Sequence, residues 1–361
     1  MADILSFSTM NLYNLQSSRR STYPGSKPLG ADLYKAKMRF LATMLRASKS
    51  DVMVFQELWA ESALYDAFKA AELFDEYDFI ARDAPGVGKP QVALAARKHM
   101  IDYAGRAPND PSFWITDFPP GAVFHKRRTI EAVKVEIDAF SRPVLSAMVQ
   151  PAKGPAIRVM GAHLKSKRPM NLDKQEREDP TVAPHADAIG QALASIRRTA
   201  EAAALRVLLN ESMTGNETPH VLMGDLNNGS LSVSTGILTG DPRYKLIESQ
   251  RPVRGRRADK GMYSVETLMH LRTQGHTNYT HIYENKLEVL DHILVSEEFY
   301  DHSERREWAF RYAEIFNDYL TLAHKRKDVE KLLATTDPKY AWPTDHGIAR
   351  AFFQHMPLAS G

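Results

Sequence analysis

Short apolar runs alternate with longer amphipathic stretches from one end of this chain to the other. Most of the short runs are rich in β-branched residues, which is typical of buried strands. We predict strands at Ile4–Met10, Val52–Phe55, Tyr77–Ala81, Val92–Ala96, Val133–Ile137, Val144–Val149, Ile157–Ala162, Val221–Met223, Leu290–Val295 and Ile348–Phe353. Strands and helices that alternate in this way indicate the α/β class.

Apolar residues spaced three and four apart predict amphipathic helices. The segments with this spacing are Asp32–Ser48, Ser62–Leu73, Ala186–Met213 and Ala309–Leu333. No internal repeat, low-complexity tract or linker composition divides the chain. We therefore predict a single domain over residues 1–361, with a helical insertion around residues 297–340.

The composition is that of an ordinary globular protein. Of 361 residues 43% are hydrophobic, and the formal net charge of +3 is too small to indicate a polyanionic partner by itself. No apolar run approaches the ~18 residues that a membrane span needs, and the N-terminus lacks the features of a secretory signal. With no cysteine, disulfides, thiolate metal sites and a cysteine nucleophile are excluded. We expect a soluble, cytoplasmic protein without a membrane partner.

Polar residues recur just past the ends of the predicted strands, where α/β scaffolds present side chains to ligands. Those that follow such strands are Asn11, Glu57, His163, Asp225 and Asn227; Asp291 lies at the start of a predicted strand, and Asp345 and His346 precede the last one. Carboxylates and amides are the oxygen ligands that Mg²⁺ or Mn²⁺ prefers, whereas zinc would favour more nitrogen or sulfur. The remaining groups suit phosphodiester hydrolysis, which needs a base for water, donors for charged oxygens and an acid for the leaving group.

The segments around these residues resemble the endonuclease/exonuclease/phosphatase superfamily, which includes pancreatic-type deoxyribonuclease and abasic-site endonucleases. Each segment is a weak signal alone, but their order and strand context make the resemblance strong. In chain order they are Met-Asn-Leu-Tyr-Asn-Leu (10–15), Val-Phe-Gln-Glu-Leu (54–58), Ser-Arg-Pro-Val-Leu (141–145), Ala-His-Leu-Lys-Ser-Lys (162–167), Met-Gly-Asp-Leu-Asn-Asn (223–228), Leu-Asp-His-Ile-Leu-Val-Ser (290–296) and Thr-Asp-His-Gly (344–347).

The resemblance implies a fold and a metal site. The fold is a four-layer αββα sandwich of two mostly antiparallel sheets flanked by helices, with the site at one end of the sheet pair. The principal metal ligand is Glu57, with Asn11 and Asp345 near the metal and phosphate. Many relatives carry an acidic residue at the position of Tyr13, so the resemblance leaves the number of metal ions open.

The resemblance also implies catalytic roles. Asp225 positions or deprotonates the attacking water, and Asn227 holds a phosphate oxygen. His346, oriented by Asp291, stabilises or protonates at the phosphate, and His163 lies on the leaving-group side. From the residues alone, general base and phosphate ligand remain interchangeable. Deoxyribonuclease-type enzymes pair the second histidine with a glutamate that this chain lacks, which weakens the acid role of His163.

Structural alternatives exist for several of these residues. Asp225 and Asn227 would also suit caps of a helix beginning near Ser230. Arg142 suits bidentate phosphate recognition and a structural salt bridge equally well. For three further histidines, packing is the better interpretation: His125, His281 and His292.

Local charge bears on the substrate. Residues 16–50 hold eight Lys or Arg against one Asp, and residues 251–260 hold five against one. Such clusters near site loops are typical of nucleic-acid binding, although solvated helix faces also carry them. We predict a nuclease acting on DNA or RNA, with substrate-binding residues Arg142, Lys165, Arg254, Arg256 and Arg257. The alternatives are a phosphatase or phosphodiesterase of a small phosphorylated metabolite or lipid head group, and an inactive binding module, which the complete residue set disfavours.

Overall fold

The computed structural model describes residues 3–122, 128–130, 133–242, 244, 261–273, 279–283, 286–321 and 344–358. Strands β1 to β17 are Ile4–Leu15, Val52–Leu58, Tyr77–Ile80, Gln91–Arg97, Ile101–Asp102, Trp114–Asp117, Arg128–Ile130, Val133–Val135, Ala139–Val149, Ile157–His163, His220–Asp225, Tyr263–Ser264, His281–Tyr283, Lys286–Glu288, Asp291–Val295, Trp308–Phe316 and Ile348–His355. Helices α1 to α6 are Ala31–Ser48, Glu61–Ala70, Lys174–Glu178, Ala186–Met213, Val233–Thr239 and Val265–Thr273. None of the described helices is long and apolar enough to cross a membrane.

Most of the strands form two large sheets. The first has the order β16-β17-β1-β2-β4-β3, and the second has the order β12-β15-β11-β10-β9-β5, with β6 also paired to β9. Within these sheets β1 with β2 and β10 with β11 are parallel, and the other described pairings are antiparallel. This confirms the prediction of two mostly antiparallel sheets.

Alternation of side chains along each strand builds the layers. Val52 and Val54 of β2 pack between the two sheets, and Met53 and Phe55 pack on the other face, against α1 and α2. In the second sheet, residues of β11 likewise alternate between the space between the sheets and a cluster that includes α4 and α5. Strands buried on both faces read as continuous apolar runs, as these do. The four-layer αββα sandwich is confirmed.

Each sheet contains one strand-helix-strand unit whose strands are parallel. The first unit is β1-α1-β2 and the second is β10-α4-β11. Parallel strands end at the same edge of a sheet. Asn11 therefore lies opposite Gln56, the residue before Glu57. In the second unit His163 lies opposite Asp225.

Two glycines allow close backbone approach near these strand ends. A Cβ atom on Gly161 would lie 2.8 Å from methyl groups of Val54 and Val92 in the facing sheet. Gly224, at φ +151, would place a Cβ 1.8 Å from the carbonyl oxygen of Ala162. A side chain at either position would force neighbouring strands or sheets apart next to Asp225.

The helix predicted at Ala309–Leu333 is wrong in its described part. Residues 309–316 belong to β16, which pairs antiparallel with β17 from Trp308↔His355 to Phe316↔Ile348. The segment is aromatic-rich, which favours a strand, and its partner is distant in sequence, so local periodicity carries no trace of the pairing. Around the expected helical insertion, the helical elements among the described residues are the 3₁₀ turns Glu297–Phe299 and Asp318–Thr321, and residues 322–343 lie outside the described part.

Candidate active site

The ends of the two parallel strand pairs meet across the sandwich. The Asn11 amide Nδ2 donates to Asp225 Oδ2 at 3.1 Å and approaches Glu57 Oε1 at 3.4 Å. Asn11 and Glu57 come from the first sheet, and Asp225 comes from the second. One amide therefore joins the two halves of the site.

Glu57 is held in place by an unusual backbone at the end of the first unit. Tyr13, Asn14 and Glu57 have φ angles of 47°, 59° and 60°, a region that costs a non-glycine residue of order 1–3 kcal/mol. The backbone N–H of Asn14 donates to Glu57 Oε2 at 2.9 Å. The strained turns are thus tied to the carboxylate, which remains half-buried.

A buried lysine lies beneath this turn. Lys37 of α1 is 1% exposed and its Nζ donates to the carbonyl oxygen of Tyr13. Burial lowers the pKa of Lys37 to about 7, opposed by the charge of Glu57. Lys37 is one of the eight basic residues of segment 16–50, but its burial removes it from any surface that could bind a polyanion.

Asp225 lies buried at the centre of the second half. Its Oδ2 lies 3.4 Å from His163 Nε2 and 3.6 Å from His346 Nε2, and its Oδ1 accepts from the Asn227 backbone N–H at 2.9 Å. Burial raises the pKa of Asp225 to about 6, although the charge of His346 opposes the shift. The carboxylate can therefore exchange a proton near neutral pH.

Asn227 and Asp225 do not act as helix caps. The nearest helix, α5, begins at Val233 and is capped by Ser232, whose hydroxyl accepts from the backbone N–H of Thr235. Asn227 instead has φ 55° and its Nδ2 donates to the carbonyl oxygen of Leu164 at 3.0 Å. The alternative interpretation of these residues as caps is wrong.

His346 forms a buried ion pair with Asp291. Its Nδ1 donates to Asp291 Oδ2 at 2.9 Å. Burial would lower the pKa of His346, but the charges of Asp291 and Asp225 outweigh it and raise the pKa well above the usual value. Thr280 supports the pair, because its hydroxyl accepts from the backbone N–H of Asp291 at 3.1 Å. His346 is thus an imidazolium between two carboxylates.

His163 is the electrostatic opposite of His346. Burial, followed by the charges of Arg142 and His346, holds its pKa well below the usual value. The ring is therefore neutral, and we assign the proton to Nε2 because that atom faces Asp225. Nδ1 is buried and has no hydrogen-bond partner among the described residues.

His281, interpreted from the sequence as a packing residue, lies beside Asp345. Its Nε2 is 3.7 Å from Asp345 Oδ2, and its ring centroid is 4.9 Å from that of His346. Burial would raise the pKa of Asp345, but the nearby His281 imidazole and the charge of His346 lower it instead. His281 is brought here by an isolated β-bridge to His346, a contact that local sequence does not encode.

Two groups of described residues have potential metal-ligand atoms within 4.8 Å of one another: His281 with Asp345 and His346, and Asp225 with Asp291 and His346. In the second group the His346 imidazolium already supplies the positive charge. Glu57 is in neither group. Burial and then the charges of Asp345 and Glu57 raise the pKa of Tyr13, so the Tyr13 phenol lies near both carboxylates. Glu57, Asn11 and Asp345 offer oxygen donors of the kind that a hard divalent cation takes.

The predicted substrate-binding residues have different outcomes. Arg142 Nη1 donates to the carbonyl oxygen of Leu164 at 3.0 Å, close to the site, and no salt bridge joins Arg142 to another described residue. Lys165 Nζ donates to the carbonyl oxygens of Ser166 at 3.2 Å and Arg168 at 3.1 Å, and burial and Arg142 lower its pKa to about 8. The other predicted substrate-binding residues, Arg254, Arg256 and Arg257, lie outside the described part of the chain. His125 lies outside it too.

Comparisons with known proteins identify the family and the fold. The sequence matches the Endonuclease/Exonuclease/phosphatase family over residues 11–346, and no curated protein sequence matches it. An endonuclease/exonuclease/phosphatase family protein from Bacteroides thetaiotaomicron is 14% identical, with a TM-score of 0.53 and 99% of each chain covered.

Two further structures have the same fold. The human Nocturnin catalytic domain with bound sulfate is 14% identical, with a TM-score of 0.51 and 99% of this chain and 96% of that chain covered. A mannosyl-6-phosphatase from Bacteroides thetaiotaomicron is 15% identical, with a TM-score of 0.50 and coverage of 97% and 99%. At such identities structural likeness establishes the fold alone. The match over residues 11–346 establishes the family: this chain belongs to the endonuclease/exonuclease/phosphatase family of phosphoester hydrolases.

Proposed function

We propose that this protein is a divalent-metal-dependent phosphodiester hydrolase and that its substrate is a nucleic acid. The observation that carries the proposal is the position of Asp225. One buried carboxylate oxygen lies 3.1 Å from the Asn11 amide, 3.4 Å from the His163 imidazole and 3.6 Å from the His346 imidazole. A carboxylate with a pKa of about 6, set among donors that suit a phosphate, has the properties of a base for an attacking water.

Asp225 takes the proton of the attacking water. As the water oxygen bonds to phosphorus and the bond to the leaving oxygen breaks, one proton passes from the water to the Asp225 carboxylate, and the leaving oxygen takes a proton from solvent water. At pH 7 most of this carboxylate is ionised, because its pKa is about 6. Neighbouring donors from Asn11 and His163 hold its Oδ2 in place without neutralising it.

The two histidines have different tasks. His346 is cationic and donates from Nε2 to a phosphate oxygen, while Asp291 fixes the ring through Nδ1. His163 is neutral, so it serves as a hydrogen-bond donor from Nε2 and has no imidazolium proton to give to the leaving group. Asn227, held by Asp225 and Leu164, completes the donors around the phosphate.

Glu57, with Asn11 and Asp345, would hold Mg²⁺ or Mn²⁺. When bound, such an ion supplies positive charge that stabilises the phosphate oxygens as charge develops. Glu57 is half-buried and its fixed oxygens retain lone pairs beyond those that accept from Asn14 and Asn11. That exposure suits a ligand open to solvent, whereas the buried Asp225 suits proton transfer.

Features of the segment between β1 and α1 support a nucleic-acid substrate. Arg19, Arg20 and Lys27 are exposed in this segment. Tyr23 packs edge-on against Trp59, with ring centroids 5.1 Å apart. Burial and then the charge of Glu57 raise the pKa of Tyr23, so the phenol lies near that carboxylate. A fixed aromatic ring beside cations and a phosphate site can stack on a base.

One observation favours the alternative of a small phosphorylated metabolite. Several cations near the site are already engaged by the protein: Lys37 is buried, and Arg142 and Lys165 donate to loop carbonyls. Fewer cations then remain for a long phosphate backbone. The two substrate classes differ in how strongly salt affects binding.

A substrate panel tests the proposal. Plasmid DNA, single-stranded DNA, RNA and bis-p-nitrophenyl phosphate would each be offered with Mg²⁺ or Mn²⁺, and oligonucleotide affinity would be measured against salt concentration. We expect hydrolysis of a nucleic acid and a log-log salt slope of ~0.7 to 0.9 per phosphate contact. Affinity that is independent of salt would favour the small metabolite.

Paired variants locate the contacts. Arg19→Ala with Arg20→Ala should weaken oligonucleotide binding and flatten the salt slope, and Arg254→Ala with Arg256→Ala and Arg257→Ala should do the same. Lys98→Ala with Lys153→Ala is the matched control, because both lysines are exposed and follow the ends of β4 and β9, at the edge opposite the site. Hydrolysis of bis-p-nitrophenyl phosphate should survive all three changes.

A further inference from the structure

His281 occupies a position that the proposed mechanism does not use. It is 9% exposed and lies between two carboxylates, with Nε2 3.7 Å from Asp345 Oδ2 and Nδ1 3.9 Å from Glu288 Oε2. Both separations are too long for hydrogen bonds, and Nδ1 is buried without a hydrogen-bond partner among the described residues. A buried imidazole in this state calls for a further group to complete it.

We propose that His281 is a nitrogen ligand of the cation held at Asp345, that Glu288 orients it, and that it makes the site prefer Mn²⁺ to Mg²⁺. The inference rests on the proposed metal site. Its ligand atoms are close, since His281, Asp345 and His346 can present them within 4.8 Å of one another. His346 contributes no ligand atom, because its Nδ1 donates to Asp291 and its Nε2 lies 3.6 Å from Asp225 Oδ2.

Glu288, His281 and Asp345 follow one another as a carboxylate that orients a histidine, the histidine that binds the metal, and the position of the metal. A histidine that binds metal through one ring nitrogen usually directs the other toward a carboxylate, which fixes the tautomer. Glu288 is positioned for this, since it is opposite His281 in the β13–β14 hairpin and is itself paired with Lys167. A proton on Nδ1 facing Glu288 leaves the Nε2 lone pair directed at Asp345.

The backbone, and not only the side-chain rotamer, places His281 there. His281 forms a β-bridge with His346, and the N–H of Ile282 donates to the carbonyl oxygen of Asp345 at 3.3 Å. The N–H of Gly347 donates to the carbonyl oxygen of Thr280 at 2.6 Å. His281 and Asp345 are therefore held side by side before any ion binds, which lowers the cost of binding.

The donor set carries the metal preference. Mg²⁺ favours oxygen ligands in near-ideal octahedral geometry, whereas an imidazole ligand raises affinity for transition metals, Mn²⁺ among them. Position 13, near Glu57 and Asp345, holds the neutral phenol of Tyr13. The nitrogen of His281 thus adds a donor to a site that has few carboxylates close at hand.

Calorimetric titration of Mn²⁺ and Mg²⁺ into the metal-free full chain tests this. In His281→Gln we expect the Kd for Mn²⁺ to rise by about tenfold or more and the Kd for Mg²⁺ to change by less than ~3-fold. Glu288→Gln should weaken Mn²⁺ in the same direction by less. His185→Gln, at an exposed histidine that precedes α4, is the matched control and should change neither.

Electron spin echo measurements on bound Mn²⁺ give an independent result. The wild-type chain should show ¹⁴N modulation from imidazole, and His281→Gln should lose it. If the modulation persists in His281→Gln, or if that variant leaves the Mn²⁺ affinity unchanged or weakens both ions equally, the inference is wrong. Should His281→Gln fail to fold, Glu288→Gln decides by affinity: weaker Mn²⁺ binding with unchanged Mg²⁺ binding supports the inference, and unchanged or equally weakened binding of both ions overturns it.

The proposed function fails in a different way. If neither ion binds the wild-type chain, or if Glu57→Gln leaves binding and hydrolysis of bis-p-nitrophenyl phosphate intact, the metal-dependent mechanism itself is overturned. If the wild-type chain binds Mg²⁺ and hydrolyses the substrate while His281→Gln matches it with both ions, only the role of His281 is overturned.

Discussion

The two strand-helix-strand units build the same edge of the molecule by opposite means. In β1-α1-β2 the polar residue near the end of the second strand is Glu57. It is half-buried, and its own backbone has a positive φ angle. In β10-α4-β11 the corresponding residues, His163 and Asp225, are almost completely buried, at 4% and 1% exposure. The half-buried Glu57 of the first unit can therefore meet an ion from solvent. In the second unit, burial shifts the pKa values of His163 and Asp225.

The two crossover helices nevertheless share one device. α1 sends the buried Lys37 to the carbonyl oxygen of Tyr13. α4 sends Arg198 to the carbonyl oxygen of Lys165 at 3.1 Å, and Glu201 to the N–H of Lys165 at 2.7 Å. In both units, then, a buried charged residue from the helix supports the chain at or just past the end of a strand that carries a site residue. The units differ in exposure and not in how they are supported.

Asp225→Asn should cause the largest loss. The substitution keeps the shape and an acceptor for Asn227 but removes the base, so kcat on bis-p-nitrophenyl phosphate should fall by about 10³-fold, within the range for a general base. Metal affinity, measured by calorimetry, should change by less than ~3-fold. Recovery of activity at high metal concentration would contradict the division of roles between the two units.

Glu57→Gln should cause a smaller and conditional loss. Removal of one ligand charge should weaken Mg²⁺ binding and lower activity by about 10²-fold at submillimolar metal, with recovery as the metal concentration rises. Activity against Mg²⁺ concentration is the measurement. Full turnover by the variant at low metal, or by the wild-type enzyme in excess EDTA, would refute the assignment.

Asp291→Asn should move the pH profile. The rate should rise as Asp225 ionises around its pKa of about 6, and fall at higher pH as His346 loses its proton. Asp291 raises both pKa values, so its neutralisation should lower both and shift the whole bell toward acid, by about one pH unit. The pH dependence of kcat/KM measures this. An unshifted alkaline limb would exclude His346 as the cationic group.

Lys37→Met should have the smallest effect and a distinct pH signature. Burial lowers the pKa of Lys37 from its usual value to about 7, so the lysine destabilises the fold below its unfolded pKa, most fully below pH 7. The gain in thermal stability from Met, a side chain of similar size, should be a few degrees at pH 6 and should vanish toward pH 10.5. A constant difference in Tm across this range would show that Lys37 is not a buried, titrating group.

Local sequence was sufficient where a site residue directly follows its own strand. Glu57 and Asp225 were predictable because an apolar run and a polar residue are adjacent in the chain and the strand fixes where the side chain lies. His281 was not predictable, because its role depends on a bridge to His346, 65 residues away by number. The burial of Lys37 was hidden for the related reason that a charged residue on an amphipathic helix is normally exposed.

The helix predicted over β16 failed for the same physical reason. The apolar spacing in Ala309–Phe316 satisfies a helical period, and nothing within the segment encodes that β17 will offer a free edge. Pairing with a distant strand overrides such local preference. Sequence therefore predicted the layers and the residues at strand ends, and it failed where a contact between distant segments decides the conformation.

The hydrogen bond from Asn11 to Asp225 spans 214 positions in the chain and joins the two sheets. Contacts between such distant segments are slow to form, because the intervening chain must be ordered first. Either sheet alone carries an incomplete set of catalytic groups. During refolding, enzymatic turnover should therefore return later than secondary structure, which makes phosphoester hydrolysis a kinetic reporter for the docking of one sheet on the other.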